Sequence, residues 1–279
     1  MMKKKSRYAK QAALCVLLAV FGFFMAFPFI WMLLSSLKSP EEIIAVPIVW
    51  IPGDPKWENY VNIWSVLPLG RLYVNSIITT VLITFGILVT SSMAGFALAK
   101  YRFRGRETLF VLMLSTMMIP FFVLFIPLFF LVKEFGWTNS YAGLIVPNIV
   151  TAFGIFLMRQ FCSGIPDELL QAARMDGASE GRIYLQIILP LQKQALAALG
   201  IFAFVYHWDS FLWPLVVVTD GTLNTLPLGL NSLRNAYSSQ ANMNMLMTGS
   251  ALAVIPSLIV FVALQKYFVK GITMTGMKG

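Results

Sequence analysis

The sequence predicts an all-α membrane protein with six transmembrane helices, and three observations carry that prediction. The composition is 58% hydrophobic and only 12% charged over 279 residues, with a mean hydropathy of +0.76. Ordinary soluble domains carry about twice that share of charge. Second, long apolar runs recur at roughly 12–35, 73–99, 109–132, 142–161, 194–218 and 246–268. About 20 residues rising 1.5 Å each cross a hydrocarbon layer of ~30 Å, so each run is long enough to span it. A helix satisfies its backbone internally, which makes it the plausible spanning form.

The third observation is where the charge lies. A net charge of +9 raises the question of nucleic acid. With the N-terminus cytoplasmic, however, only Lys38, Lys56, Arg71, Lys133 and Arg234 of the 21 basic residues fall in outer segments. That is a positive-inside distribution, and it predicts that both termini are cytoplasmic. The basic balance therefore reports topology, and nucleic acid is not an expected partner.

Residues 1–11 form a basic cytoplasmic tail and 12–35 the first transmembrane helix. A cleaved signal peptide is the rival reading, but the apolar run is too long and no small-x-small cleavage site clearly follows it. Cys15 and Cys162 are the only cysteines. They support neither a disulfide nor a metal site and are expected to be buried as small hydrophobes. Residues 36–72 make an extracytoplasmic loop with Pro40, Pro47, Pro52 and Pro55, which predict a folded, extended segment rather than a long helix. A partner contact and a plain connector both fit that loop.

Residues 73–268 then form a core of five helices. The second span carries Ser91, Gly95 and Ala99 at four-residue spacing, small side chains that let a neighbouring backbone approach closely within lipid. The basic turn YRFRGRE at 101–107 follows. Pro120 and Pro127 interrupt the third span, and Pro147, with Asn148 and Gly154, the fourth. Proline breaks are tolerated in membranes where neighbours satisfy the freed carbonyls, in rocking transporters and static bundles alike.

The longest polar island, SGIPDELLQAARMDGASEGRIYLQIILP at 163–190, lies between two apolar runs. It reads as two short helices and a bend. Ser163 precedes the first helix, Pro166 suits its first turn, and Asp167 and Glu168 sit at the electropositive end. Leu169, Leu170, Ala172 and Ala173 give an apolar, small-sided face, and Gly177 is the expected stop. Ser179 can cap a second helix, 180–189, which Pro190 closes or kinks. A helix this short needs a surface to rest on. The island is read as a docking element.

The fifth span has an unusual outer half, Tyr206 to Trp213. Asp209 lies nine residues inside the run, about 13 Å at helical rise, where an ionisable group should face a cavity or a partner. A carboxylate beside aromatic rings suits a polyhydroxylated solute, which makes Tyr206, Trp208 and Asp209 the candidate substrate path. An aromatic belt, with Asp209 bonded to a neighbouring helix, fits the same residues; Trp213 is assigned to the belt. His207 is the only histidine and makes no metal site by itself. No Ser/His/Asp set, metal cluster or glycine-rich phosphate loop is present. The expectation is a non-enzyme with no catalytic residues and no bound metal or cofactor. An outer loop at 219–245 leads to a sixth span broken by Pro256. The tail, 269–279, reads as a flexible cytoplasmic probe or as simple terminal disorder.

Gln171-Ala172-Ala173, Gly177 four residues on, and Ile187, Leu189 and Pro190 reproduce the spacing EAA---G---------I-LP. With IPDELLQAARMDGAS around it, WDSFLWPL at 208–215, TLPLGL at 225–230 and the closing Lys-Gly, the chain resembles the permease subunits of binding-protein-dependent carbohydrate ABC importers. Within them it is most similar to the maltose-importer-type second permease. The likeness covers most of 73–279.

The resemblance implies an ABC importer type I permease fold and a place in the bacterial plasma (inner) membrane. The implied partners are a second permease forming a heterodimer, an ABC ATPase dimer, an extracytoplasmic solute-binding protein and a sugar substrate. It implies that 163–190 is the coupling loop, with Glu168, Gln171, Ala172, Ala173, Asp176, Gly177 and Ala178 against the ATPase. Thr275, Gly276, Met277, Lys278 and Gly279 would reach between the ATPase subunits. ATP-Mg would be held by that partner alone. Two positions depart from the family pattern: Gln171 replaces the leading glutamate, and Trp208-Asp209 replaces the usual Trp-Asn. A polyol-phosphate importer is the alternative within the family. An ion-coupled secondary transporter would explain Asp209 but not the polar island, and a channel subunit would not explain the tail.

Overall fold

A computed structural model describes residues 2–236 and 243–275, with side chains over 10–233 and 243–266. Helices follow one another along the chain: α1 (Met2–Ser36), α2 (Pro40–Ile44), α3 (Asn59–Val66), α4 (Leu69–Lys100), α5 (Arg106–Thr116), α6 (Phe121–Glu134), α7 (Tyr141–Ile145), α8 (Ala152–Ser163), α9 (Asp167–Met175), α10 (Glu180–Ile183), α11 (Leu189–Leu191), α12 (Lys193–Trp208), α13 (Leu212–Val217), α14 (Leu226–Ala236) and α15 (Met243–Thr275). No strand occurs among the described residues. Two compact units are formed, Met1–Leu69 with Gly229–Ile255, and Gly70–Leu228 with Pro256–Gly279.

Three stretches are long and apolar enough to span alone: Lys10–Ser36, Leu69–Lys100 and Met243–Lys266. Three more are bent pairs, α5 with α6 at 98°, Tyr141–Asn148 with α8 at 42°, and Glu180–Leu191 with α12 at 75°. The first two pairs coincide with the expected runs 109–132 and 142–161, whereas the third joins the end of the polar island to α12. The expected run 194–218 is itself α12 followed, after a break at 209–211, by α13, so the six-span reading holds with three of its spans broken.

Proline does not act uniformly. Pro120 precedes α6 as its N-cap and stands at the 98° bend, whereas Pro127 lies inside an unbroken α6. Pro256, expected to break the last span, is carried within continuous α15. A helix within a membrane can keep running through a proline where neighbouring groups or a local adjustment of the ladder satisfy the freed carbonyl. Because α15 runs on to Thr275, the tail expected to begin at 269 is helical to that residue; Gly276, Met277, Lys278 and Gly279 lie outside the described residues.

In the first unit, the segment expected to be an extended loop over 36–72 carries two short helices, α2 and α3, and ends earlier, where α4 begins at Leu69. The Asn59 amide donates to the Ser36 and Lys38 carbonyls at 2.9 and 3.1 Å, and Tyr60 and Ser36 hydroxyls pair at 2.7 Å. Cys15 is exposed on α1, contrary to expectation, within a stretch, residues 10–30, whose side chains are all exposed; Cys162 is buried.

In the second unit, the small residues of α4 meet the α8 strip. A Cβ on Gly86 would come 2.7 Å from Ile149, and one on Gly95 would lie 2.6 Å from the Met158 Cβ; Ser91 abuts Gly154 between them. The paired numbers rise together, so α4 and α8 run parallel in one register. The neighbour left unnamed by the sequence is therefore α8. The Thr90 hydroxyl adds a 2.7 Å bond to the Ile149 carbonyl.

Candidate functional site

The polar island folds into an elbow whose underside is fastened and whose top is bare. Pro166 is the N-cap of α9, not part of its first turn. Asp167, the first helical residue, pairs with Lys100 Nζ at 2.6 Å, and the same ammonium donates to the Ile165 carbonyl. Lys100 thereby holds its carboxyl below the usual carboxylate range. Leu170 is buried with Phe96, Cys162, Ile183 and Ile188, and Ala173 and Ala178 pack on that cluster.

The bend is a Schellman turn. Gly177 N–H donates to the Arg174 carbonyl and Ala178 N–H to the Ala173 carbonyl, both at 3.0 Å. Gly177 takes φ +79°, the left-handed conformation that favours glycine. Arg174 Nε then reaches across the bend to Glu180 at 2.7 Å, and Tyr101 donates to the same carboxylate at 2.5 Å. These bonds, Arg174 first and Tyr101 second, hold the Glu180 carboxyl below its ordinary value. Ser179 caps α10 as expected, accepting from Arg182 N–H at 3.3 Å.

The elbow rides on the end of α4. Tyr184 stacks on Phe96 at 5.8 Å and pairs with the Ser92 hydroxyl at 2.6 Å. A π-helical turn at Tyr184–Ile188 precedes Pro190, widening the ladder where proline cannot donate. The chain then turns at Gln192, which is buried and donates to Cys162 Sγ. The cluster under α9 thus includes Phe96 of α4 and Cys162 of α8.

The apolar face expected of α9 splits. Leu170 and Ala173 turn inward, whereas Glu168, Leu169, Gln171, Ala172, Met175, Asp176 and Gly177 are exposed. Met175, 88% exposed, was missed by sequence reasoning, although its place three residues after Ala172 puts it on the same face.

The candidate substrate path is less coherent. α12 ends at Trp208, and Asp209 is its exposed C-cap rather than a mid-helix carboxylate. Pro214 explains the break: its ring would clash with the carbonyl of Ser210 in a continuous helix. Trp208 is 2% exposed, stacked on Phe204 at 5.7 Å and 6.2 Å from Tyr73, so within this chain its ring is packed against neighbouring rings. Trp213 is likewise buried instead of forming a belt, its indole donating to the Gly143 carbonyl at 3.0 Å. Tyr206 and Asp209 are both exposed, but of the three it is Tyr206 that lines a cavity. With His207, Asn148, Thr151, Phe121 and Phe202 it lines a cavity of about 760 Å³ between α6, the 147–153 bend and α12. Among the described residues no group of acidic, histidine and cysteine side chains could hold a metal.

By family, this helical membrane protein is a transport permease. The chain belongs to the family described as binding-protein-dependent transport system inner membrane component, which residues 86–274 match. It is 38% identical over 271 residues to the arabinooligosaccharides transport system permease protein AraQ of Bacillus subtilis, covering 96% of this chain and 95% of that one. AraQ of Halalkalibacterium halodurans is 36% identical over 281 residues, 100% of both chains. The sn-glycerol-3-phosphate transport system permease protein UgpE of Yersinia enterocolitica is 33% identical over 263 residues, 92% of each. A crystal structure of a bacterial ABC transporter involved in the import of the acidic polysaccharide alginate has a chain with the same fold. Its TM-score is 0.81 at 24% identity, covering 94% of this chain and 98% of that one. The expected family and fold are therefore borne out. The chain is a transport subunit and not an enzyme, and its family implies a companion permease, an ATPase and a solute-binding protein.

Proposed function

We propose that this chain is the transmembrane permease subunit of an ATP-driven sugar importer, with an oligosaccharide as cargo. It forms the translocation path with a second permease. Both termini and the elbow lie on the cytoplasmic side, in keeping with the distribution of basic residues. ATP-Mg is bound and hydrolysed by the partner ATPase, which grips α9.

The observation that carries the reading is the two-sidedness of α9. Its lower face is fixed by Leu170 and the Lys100–Asp167 pair, while Glu168, Leu169, Gln171, Ala172, Met175 and Asp176 stand free. A short helix with an apolar, acid-edged free face seats in a groove of a partner. Closure of the ATPase dimer pushes this lever, and the packed chain α9–α4–α8 carries the push into the bundle. Gln171 keeps a hydrogen bond where the family glutamate would carry charge, and Glu168 supplies the charge one turn earlier. Thr275, Gly276, Met277, Lys278 and Gly279 are assigned to contact with the same partner.

Sugar is favoured over polyol phosphate by the higher identity and fuller coverage of the arabinooligosaccharide permeases. The aromatic cavity beside Tyr206 suits the apolar faces of a sugar ring, and Asp209 lies near it in sequence without lining it.

The test is coupling in the assembled transporter. Leu169→Glu and Met175→Glu place charge on the free face and should abolish receptor-stimulated ATP hydrolysis while insertion and assembly of the bundle persist. Unchanged stimulation in both variants would remove the docking assignment. Binding of arabino-oligosaccharides against glycerol phosphate to the cognate receptor separates the two cargo readings.

A further inference from the structure

The 36–72 segment carries an apolar loop that neither the elbow nor the cavity uses. From Ile43 to Gly53 there is no charged residue, although Glu41 and Glu42 precede the stretch and Asp54 and Lys56 follow it. Several of its large side chains are exposed: Val46 94%, Ile48 57%, Trp50 58% and Ile51 72%. The loop is nonetheless built. Glu42 caps α2 with Ser39 and accepts from Gly53 N–H at 2.9 Å, closing the base. Lys56 N–H donates to the Leu37 carbonyl at 2.8 Å.

One ring fixes the level of this loop against the membrane. Trp50 meets Trp31 edge-on at 5.4 Å and Phe27 at 6.3 Å, both on α1. The apolar part of α1, Lys10–Ser36, is 27 residues long, so it measures about 40 Å against ~30 Å of hydrocarbon. With Lys10 at one boundary, the other falls about 20 residues on, at the level of Phe27 and Trp31. Tryptophan is the residue that prefers that boundary. Lys38, buried just past the end of α1, holds its ammonium 3.9 Å over the Trp31 ring, so that ring is fixed from the protein side as well.

We propose that residues 44–51 are a membrane-interface anchor, seated among the lipid headgroups and upper acyl chains of the leaflet at the Ser36 end of α1. The occupant of this surface is lipid. The continuity of Trp50 with rings on a membrane-spanning helix places it there, and the charge-free stretch bracketed by charged residues matches the polarity change at that depth. The loop is thus not a water-facing connector, and it holds the outer turns of α1 at a set height. The proposal rests only on the membrane location of the chain, not on its cargo.

The test uses the full chain, with the subunits that co-purify, in lipid nanodiscs. Val46→Cys and, separately, Ile48→Cys are made in a Cys15→Ala background, Cys162 being buried, and labelled with an environment-sensitive fluorophore. Asp54→Cys serves as the water-side reference, since the Asp54 side chain is 80% exposed. The expected result is blue-shifted emission at 46 and 48, quenched strongly by lipids carrying a nitroxide near the headgroup and weakly by aqueous iodide. The reference should show the reverse. Iodide quenching at 46 and 48 equal to the reference would overturn the anchor in favour of a water-facing loop. Protection from both quenchers would overturn it in favour of a protein partner.

Discussion

Lys100, the last residue of α4, pairs at 2.6 Å with Asp167, the first residue of α9. The lysine side chain is only 5% exposed and the aspartate 66%, so a membrane-spanning helix reaches out to fasten the elbow at its root. The same ammonium holds the Ile165 carbonyl. This one side chain sets where the elbow begins.

The pair makes the elbow sensitive to acid. Lys100 depresses the Asp167 carboxyl. A depressed acid contributes its interaction above its unfolded value, near ~4, and loses it as pH falls through the lower folded value. Hydrogen exchange of residues 165–176, corrected for intrinsic rates, should therefore speed up on acidification below that range. Lys100→Met should raise exchange at neutral pH and remove this part of the pH response. An identical profile in the variant would show that the ion pair does not hold α9.

Gly177 is constrained by conformation and not by space. A Cβ there meets nothing within 4 Å, yet φ is +79°. Gly177→Ala should destabilise the bend by about 1–2 kcal/mol through left-handed strain alone, with Gly177→Asn milder. The readouts are exchange at the bend and receptor-stimulated ATP hydrolysis, both worse in alanine than in asparagine.

Gly95 is constrained by space. Gly95→Ala would put its Cβ 2.6 Å from Met158 and 2.8 Å from the Arg159 nitrogen, and such overpacking costs typically 1–3 kcal/mol, roughly. Gly200→Ala is the control, because its nearest neighbour would be Leu88 at 3.7 Å. Thermal unfolding in detergent should fall for the first and stay level for the second.

The aromatic outer half of α12 divides into packing and cavity. Trp208→Ala should destabilise the chain by about 3–5 kcal/mol, the range for truncating a buried aromatic, with Trp208→Phe recovering most of it. Tyr206→Ala should instead leave unfolding unchanged and alter uptake rate or solute preference, since its ring lines the cavity. Asp209→Asn should change neither strongly, its carboxylate standing outside that lining. Loss of uptake in Asp209→Asn with normal unfolding would restore the aspartate to the solute path.

Membrane class, the six apolar runs and the elbow were legible from residues alone. Hydrocarbon thickness sets the length of a span, and left-handed turns and helix caps leave local signatures at Gly177 and Ser179. Chemistry of that kind acts over a few residues and needs no tertiary partner. Which prolines bend was not legible: Pro120 stands at a sharp bend while Pro127 and Pro256 sit in running helix, because the outcome depends on what packs beside each. Nor could the sequence place Trp208 and Trp213 in the interior, or turn Met175 outward and Leu170 inward. Side-chain direction at those sites follows from the path of α4, α8 and α12, set by close contact between residues far apart in the chain.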